Sequence, residues 1–213
     1  MKTKTTIMFT MMSLLMASSF AQKPKPSFAV SAGISSAYYY VDGDVNSSSD
    51  FKTGLSAGVS ARIPTGQHWG VEPGLFFVQK GGIENVEGMS AKTTLNYLEM
   101  PVDMYYTKRN RFFFGFGPSF ALALSGKAKL NDGSGDQTID LKFGSNEEDD
   151  LKSFDAGVNL LGGYRFANSM FVSVNVNSSV SNLSNEPGTQ FNNAYLGIRL
   201  GYMFGNKATK EAN

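Results

Sequence analysis

The chain of 213 residues contains no cysteine. It therefore cannot form disulfides or carry a lipid on cysteine, so an exported form must be held together by burial, by backbone pairing or by a membrane. Charged residues make up only 17% of the chain, whereas the surface of a soluble domain usually carries about 25–35%. Both shortages favour a chain that resides in a membrane.

Positive charge is also scarce. The chain has 19 Lys and Arg against 18 Asp and Glu, and removing Lys2 and Lys4 with a leader leaves 17 against 18. A chain without a basic field is not expected to bind nucleic acid. After the first 21 residues no apolar run reaches 18 residues, so the sequence predicts no transmembrane helix.

The N-terminal 21 residues have the three parts of a secretory signal peptide. Lys2 and Lys4 precede an apolar stretch from Ile7 to Phe20, and Ser19-Phe20-Ala21 provides a small-x-small cleavage site. The apolar stretch is too short to span a bilayer, which needs about 20 residues. We expect cleavage after Ala21, a short periplasmic segment at 22–27, a barrel at 28–205 and a polar tail at 206–213.

Alternation of apolar with small or polar residues, a period of two that is typical of β-strands, runs through the rest of the chain. It predicts eight strands, at 28–41, 51–63, 69–83, 92–107, 111–130, 151–166, 170–183 and 191–205, with a short extra strand at 138–143. The breaks between them alternate long and short. Outer-membrane barrels have an even number of strands, short periplasmic turns and longer extracellular loops, so the sequence predicts an all-β fold: an eight-stranded antiparallel up-and-down transmembrane β-barrel.

The two faces of each predicted strand differ in a way that favours lipid outside. On the last strand, Leu200 shares the bulky apolar face and Gly201 the small or polar face. A membrane barrel is apolar outside and polar inside. We therefore expect Leu200→Arg to block insertion and the inward-facing Gly201→Ala to be mild. Aromatic residues fall in two bands near the strand ends, which indicates girdles at the two interfaces: Trp69, Tyr106, Phe112, Phe114, Tyr164, Phe166, Tyr202 and Phe204 on the periplasmic side, and Tyr38, Tyr40, Phe51 and Phe154 on the outer side.

The same alternation directs eight ionisable residues into the barrel. They are Arg62, Glu72, Lys80, Glu99, Asp103, Asp155, Arg165 and Arg199. An eight-stranded barrel is just wide enough to be filled by side chains, and buried charges must be paired. The residues therefore predict a structural ion network that plugs the interior. The alternative is a narrow path for protons or ions.

Other candidate sites are weaker. The loop at 42–50 begins Asp-x-Asp-x-Asn like a calcium loop, but position six is Ser47 rather than Gly and position twelve is Thr53 rather than Glu. The acidic run Glu147 to Asp150 is interpreted as a solvated loop that could share divalent cations with lipopolysaccharide. The only histidine, His68, is placed in a periplasmic turn away from the ion network. Glu99 and Asp103 are an alternative acid–base site, but inside a plugged barrel, where substrate access is poor. We expect no catalytic residue, no metal and no cofactor.

Several glycine- and aromatic-rich motifs are distinctive: Val71-Glu72-Pro73-Gly74-Leu75-Phe76-Phe77 with Lys80-Gly81-Gly82, Leu95-Asn96-Tyr97-Leu98-Glu99-Met100-Pro101-Val102, Gly115-Phe116-Gly117-Pro118-Ser119, and Asp155-Ala156-Gly157 with Gly162-Gly163-Tyr164. With these motifs the chain resembles a known family, the small outer-membrane β-barrel proteins of the "porin family" or "outer membrane protein beta-barrel domain". The final strand, Tyr195 to Phe204, resembles the aromatic-ended strand that the barrel-assembly machinery recognises. The resemblance implies an outer-membrane location in a Gram-negative envelope and this fold, but no shared activity.

The sequence therefore predicts a non-enzymatic, side-chain-filled barrel. It would display loops at 42–50, 84–91, 131–150 and 184–190 for envelope structure or surface interaction, because binding residues concentrate on loops held by a rigid scaffold. Its expected partners are outer-membrane lipid, lipopolysaccharide and the assembly machinery; the sequence indicates no partner for the loops. The alternatives are a narrow channel for ions or small solutes, a surface hydrolase and a soluble periplasmic β-protein.

Overall fold

Eight long antiparallel strands form the body of the protein, in a computed structural model that describes residues 25–43, 47–86, 89–108, 111–131, 133, 135–146 and 148–205. The predicted signal peptide, residues 22–24 and the tail at 206–213 lie outside these residues. The long strands are β1 (Ser27–Asp42), β3 (Asp50–Pro64), β4 (Trp69–Val86), β5 (Met89–Lys108), β6 (Phe112–Asn131), β8 (Phe154–Arg165), β9 (Met170–Ser179) and β10 (Gln190–Phe204). Two short strands, β2 (Ser47–Ser48) and β7 (Asp136–Leu141), pair with β1 and β6, respectively.

The sheet closes on itself because the last long strand pairs with the first. The β10–β1 ladder runs from Phe204 opposite Phe28 to Gln190 opposite Asp42. All other neighbours among the eight strands are also antiparallel. Closure leaves no strand edge to expose unpaired N–H and C=O groups to hydrocarbon. The predicted eight-stranded antiparallel barrel is therefore confirmed.

Several strand ends differ from the expected ones by more than one residue, all of them on the side with the long loops. The sixth long strand begins at Phe154 rather than at 151, because Leu151 forms bridges to Phe143 and Ser184 instead. The seventh ends at Ser179 rather than at 183. The expected loop at 84–91 is mostly ladder, since Glu84 pairs with Ala91 and Val86 with Met89. The extra strand lies at 136–141 rather than at 138–143.

The barrel wall separates an apolar outer face from a polar inner face. Leu200 is 61% exposed, whereas its neighbour Arg199 is 5% exposed. The expectation that Gly201→Ala would be mild is not supported. A Cβ at Gly201 would lie 2.6 Å from the backbone O of Val30 on β1, because strands approach closely in so narrow a barrel. The described residues include no helix long and apolar enough to cross a membrane.

The aromatic residues near the strand ends contact one another around the rim with the short turns. Trp69 packs on Tyr106 with ring centroids 5.1 Å apart, and Tyr106 on Phe114 at 5.3 Å. Tyr164 contacts Phe112 on the neighbouring strand and Phe166 two residues further along the chain, and Tyr202 contacts Phe204. At the opposite end, Tyr38 meets Phe51 at 5.1 Å. These rings have the amphipathic character and position of membrane-interface girdles.

The barrel interior as a candidate functional site

All eight ionisable residues expected inside the barrel lie there, and none is more than 8% exposed. Four are cationic and four are anionic, so their formal charges balance. Strands β3 to β5 contribute five of them, and β8 and β10 contribute Asp155, Arg165 and Arg199. They are spread along the lumen from the extracellular half to the periplasmic rim. Lys52 is a further buried cation on the inner face. Pairing of opposite charges is what a narrow interior requires, because an unpaired buried charge is costly.

Lys80 is the centre of the extracellular half of the network. Its Nζ lies 3.1 Å from Oε2 of Glu99 and 3.1 Å from Oδ2 of Asp155. The hydroxyl of Ser179 donates to Oδ1 of Asp155 at 2.5 Å, and the Tyr195 hydroxyl donates to Oε1 of Glu99 at 2.5 Å. Two carboxylates and one ammonium group therefore share a fully buried cluster.

Arg199 connects this cluster to the middle of the barrel. Its Nε donates to the Ser56 hydroxyl at 2.8 Å, and its Nη2 donates to the Tyr195 hydroxyl at 3.3 Å. The guanidinium lies 4.1 Å from the centroid of the Phe76 ring, a cation–π distance. Below it, the Asn159 amide donates to Oδ2 of Asp103 at 2.8 Å. Glu99 and Asp103 thus have different partners and do not form an acid–base pair.

A second cluster lies toward the periplasmic rim. Arg62 donates from Nε to Oε2 of Glu72 at 2.8 Å, and the Ser60 hydroxyl donates to Oε1 of the same carboxylate at 2.9 Å. The Arg62 guanidinium also lies over the rings of Tyr105 and Phe113, at 4.9 and 4.3 Å from their centroids. These contacts hold the arginine in one position across the lumen.

His68 is closer to the interior than the sequence reading placed it. It lies in the periplasmic turn as expected, and its ring is 5.6 Å from that of Tyr106. It also lines a cavity of about 100 Å³ together with Arg62 and Arg165, whose Nη2 donates to Ser169 at 3.2 Å. The prediction that His68 is separate from the ion network is therefore wrong for its periplasmic end.

Large side chains fill more of the lumen than the sequence indicated. The expected inner face was small or polar, but it also carries bulky apolar and aromatic groups: Phe76, Leu95, Tyr97, Tyr105, Phe113, Phe171, Tyr195 and Met203, together with the buried Lys52. Each lies an even number of positions from an inward-facing residue on the same strand, so strict alternation along the strand predicts that it points into the barrel. Between the two charged clusters lies a cavity with a volume of about 20 Å³. That is room for about one water molecule.

The long loops close the extracellular mouth. Leu151 and Leu183 pack with Leu95, Tyr97 and Ala121 in one buried apolar cluster. Hydrogen bonds from Asn185 also connect loop 180–189 with loop 142–153. The two loops are therefore packed on the extracellular ends of the strands and on each other, so they are held in one arrangement.

The Asn185 side chain makes hydrogen bonds between two loops, and the Asn182 side chain makes hydrogen bonds within the second of them. The Asn185 amide donates to the carbonyls of Gly144 and Asp149 at 3.3 and 2.9 Å. The Asn182 amide donates to the Thr189 carbonyl at 2.8 Å, and its own carbonyl accepts from the backbone N–H of Phe191 at 3.0 Å. Loop 142–153 is thereby joined to loop 180–189.

The acidic run before β8 is partly used in local structure. Oδ2 of Asp149 accepts from the backbone N–H of Asn146 at 3.0 Å, and Oδ2 of Asp150 accepts from the N–H of Lys142 at 2.8 Å. Glu147 lies outside the described residues, as do 44–46 of the calcium-like loop. Among the residues that are described, no group of three or more His, Cys, Asp or Glu side chains has a metal-binding arrangement.

A closed barrel with an apolar belt, aromatic girdles and a polar, packed lumen defines a transmembrane barrel of the outer membrane. A family model described as "Outer membrane protein beta-barrel domain" matches residues 20–185. The chain belongs to this family, which confirms the resemblance noted in the sequence and the outer-membrane location in a Gram-negative envelope. No curated protein matches the chain.

Solved structures of similar shape include three small barrels. The attachment invasion locus protein Ail of Yersinia pestis is 14% identical, with 85% of this chain and 100% of Ail covered and a TM-score of 0.44; Ail is also known in complex with the heparin analogue sucrose octasulfate. Neisserial surface protein A is 11% identical, with 84% and 99% covered and a TM-score of 0.47. OprG of Pseudomonas aeruginosa is 14% identical, with 84% and 96% covered and a TM-score of 0.43. Similarity at this level carries no information on function.

Proposed function

We propose that the protein is a non-enzymatic scaffold of the outer membrane: a barrel plugged by its own side chains that displays a connected set of loops at the cell surface. The observation that carries the proposal is the filled lumen. Five cationic and four anionic residues are buried inside the barrel, and the cavity between the two clusters has a volume of about 20 Å³. Solutes larger than water have no room to pass.

Three features support the structural role of the charged residues over a catalytic one. Five of them pair with one another, Arg62 with Glu72 and Lys80 with Glu99 and Asp155, so these charges are neutralised within the barrel. The mouth above them is covered by the cluster containing Leu151 and Leu183. Glu99 and Asp103 each bind a different partner. A substrate would have to displace the loops before meeting any of these groups, and catalysis needs such contact.

The proposed contacts with other molecules are made by the extracellular loops and by the lipid-facing wall of the barrel. Loops on a rigid scaffold are where binding residues concentrate, and here loops 142–153 and 180–189 are joined by Asn185. Outer-membrane lipid and lipopolysaccharide are the proposed partners of the outer wall, and the barrel-assembly machinery that of the aromatic end of β10. The role of the loops is envelope structure or contact with other molecules at the cell surface.

Labelling of single introduced cysteines tests this proposal. The chain has no cysteine of its own, so any label reports on the introduced position. We expect an impermeant maleimide to label Ser145→Cys on intact cells and to label the periplasmic-turn variant Gln67→Cys only after permeabilisation. Ser173→Cys, which is 3% exposed inside the barrel, should resist even a small water-soluble thiol reagent while the protein is folded. Rapid labelling of Ser173→Cys would reveal a water path and favour the channel alternative.

A further inference from the structure

A furrow crosses the lipid-facing wall where β8 carries a glycine. Gly162 lies opposite Phe114 of β6 and Val174 of β9, both exposed on the outer face. A Cβ at Gly162 would meet no atom within 4 Å, so its missing side chain leaves open space. The resulting groove has a volume of about 520 Å³ and apolar walls, formed chiefly by Phe112, Leu160, Tyr164, Val172, Val174 and Val176.

The furrow ends in a polar pair at the periplasmic interface. Nη1 of Arg111 donates to the Tyr164 hydroxyl at 3.2 Å. The Tyr164 ring is fixed between Phe112 and Phe166, at centroid distances of 4.8 and 5.2 Å. The backbone of Arg111 is fixed as well, because its carbonyl accepts from the N–H of Arg165 at 2.9 Å. Since the tyrosine oxygen accepts from the arginine, its own proton can be donated to a further acceptor.

The turns near this pair carry basic residues. By sequence, none of the three periplasmic turns, at 65–68, 108–111 and 166–169, contains an acidic residue. Among the described residues, every Asp and Glu other than the buried carboxylates of the lumen lies toward the extracellular end. Basic residues next to a membrane surface attract anionic lipid headgroups, and the arginine fork matches the oxygens of a phosphate.

We propose that this wall binds an anionic phospholipid of the periplasmic leaflet. One acyl chain lies in the Gly162 furrow, and the phosphate accepts hydrogen bonds from the Arg111 guanidinium and the Tyr164 hydroxyl. The apolar furrow and the polar pair are adjacent along β8, as the two parts of a phospholipid are, and the furrow lies on the face that contacts lipid. The proposal requires only that the barrel spans the membrane, and it holds whether or not the lumen conducts.

Trp69 gives a direct test, because it is the only tryptophan and its ring lies 6.4 Å from that of Phe114, the residue opposite Gly162. The protein is refolded into vesicles of phosphatidylcholine and phosphatidylglycerol with bromine on the chains of one lipid at a time. We expect brominated phosphatidylglycerol to be preferred by about fivefold, the effect of one cation at the surface. Arg111→Gln should abolish the preference, and Lys25→Gln, away from the furrow before β1, should retain it.

The acyl-chain part is tested by filling the furrow. Gly162→Leu should lower the preference, whereas Ala57→Leu, an outward-facing position on β3, should leave it at the wild-type value. Each variant is first shown to fold by heat-modifiable gel mobility. If Arg111→Gln does not fold, Arg111→Lys is used in its place. The Arg111→Lys variant should keep part of the preference for phosphatidylglycerol. The proposal is overturned if the wild type shows no preference, if Arg111→Gln behaves like Lys25→Gln, or if Gly162→Leu behaves like Ala57→Leu.

Discussion

The ammonium group of Lys80 lies 3.1 Å from the carboxylate of Glu99, on the neighbouring strand, with both side chains 1% exposed. A second carboxylate, that of Asp155 across the lumen, lies at the same distance. One cation on β4 therefore holds two anions, one on β5 and one on β8. Removing it would leave two carboxylates buried together without a counter-ion.

Lys80→Met should accordingly lower the free energy of unfolding by about 3–5 kcal/mol, the usual cost of breaking a buried ion pair by deleting one partner. Urea unfolding of the refolded protein in vesicles measures the change. The matched control is Lys127→Met, whose partner Asp140 is 3.4 Å away on the exposed surface, where an ion pair contributes little. Equal effects of the two substitutions would contradict a structural role for the network.

Leu200→Arg should prevent stable insertion, because a charge on the lipid-facing wall near the bilayer midplane costs about 2–4 kcal/mol. The fraction of the variant recovered as folded protein in the outer membrane measures this. Leu200→Met is the control and should insert normally. Gly201→Ala is not a neutral comparison, since its Cβ would meet the carbonyl oxygen of Val30. Normal insertion of Leu200→Arg would reject the assignment of the two faces.

Asn185→Ala should loosen the contact between the two extracellular loops, which the bridge from Leu151 to Ser184 still connects, while leaving the barrel intact. The variant loses two hydrogen bonds to the carbonyls of Gly144 and Asp149, each contributing about 1 kcal/mol. We expect faster proteolytic cleavage within loops 142–153 and 180–189 on the refolded protein, with unchanged heat-modifiable mobility. Ser145→Ala, at an exposed position in the first loop, should cleave at the wild-type rate. An unchanged rate for Asn185→Ala would show that the loops are held by other contacts.

The extracellular strand β7 should respond to acid. Its Asp136 carboxylate lies 2.5 Å from Nζ of Lys129, and this hydrogen bond, with a second from Asn131, lowers the pKa of Asp136 below its ordinary value of 3.8. The folded carboxylate binds protons less readily than the unfolded one, so its contribution to stability is present above pH 3.8 and is lost as the pH falls further. Amide chemical shifts of β7 should move toward unstructured values there. Asp136→Asn should remove that pH dependence.

The interior was the most predictable part of the protein, because alternation depends only on the extended backbone. Parity placed Lys80, Glu99 and Arg199 on the inner face. Parity fails where the ladder is irregular: a register shift at Asn96 and Tyr97 leaves Lys127 and Lys129 facing outward, although Ser119 and Ala121, of the same odd numbering, face inward. Nothing in the local sequence marks this shift.

The loops and the lumen filling were less predictable, for two physical reasons. Asn185 binds carbonyls 36 and 41 positions away, and such contacts depend on how the strands bring the loops together. Large rings such as Tyr97 and Phe76 share the parity of the inward-facing Glu99 and Lys80, but alternation does not measure how much of the lumen they fill. Only the closed barrel shows how little space they leave.

The most direct test of the plugged barrel is the conductance of the refolded wild-type protein in a planar bilayer, with heat-modifiable mobility establishing that it is folded. A cavity of about 20 Å³ between the two charged clusters predicts a silent membrane at all applied voltages. Steady, reproducible ion steps that change in size with Glu99→Gln would contradict the plugged lumen and identify the charged interior as a conducting path.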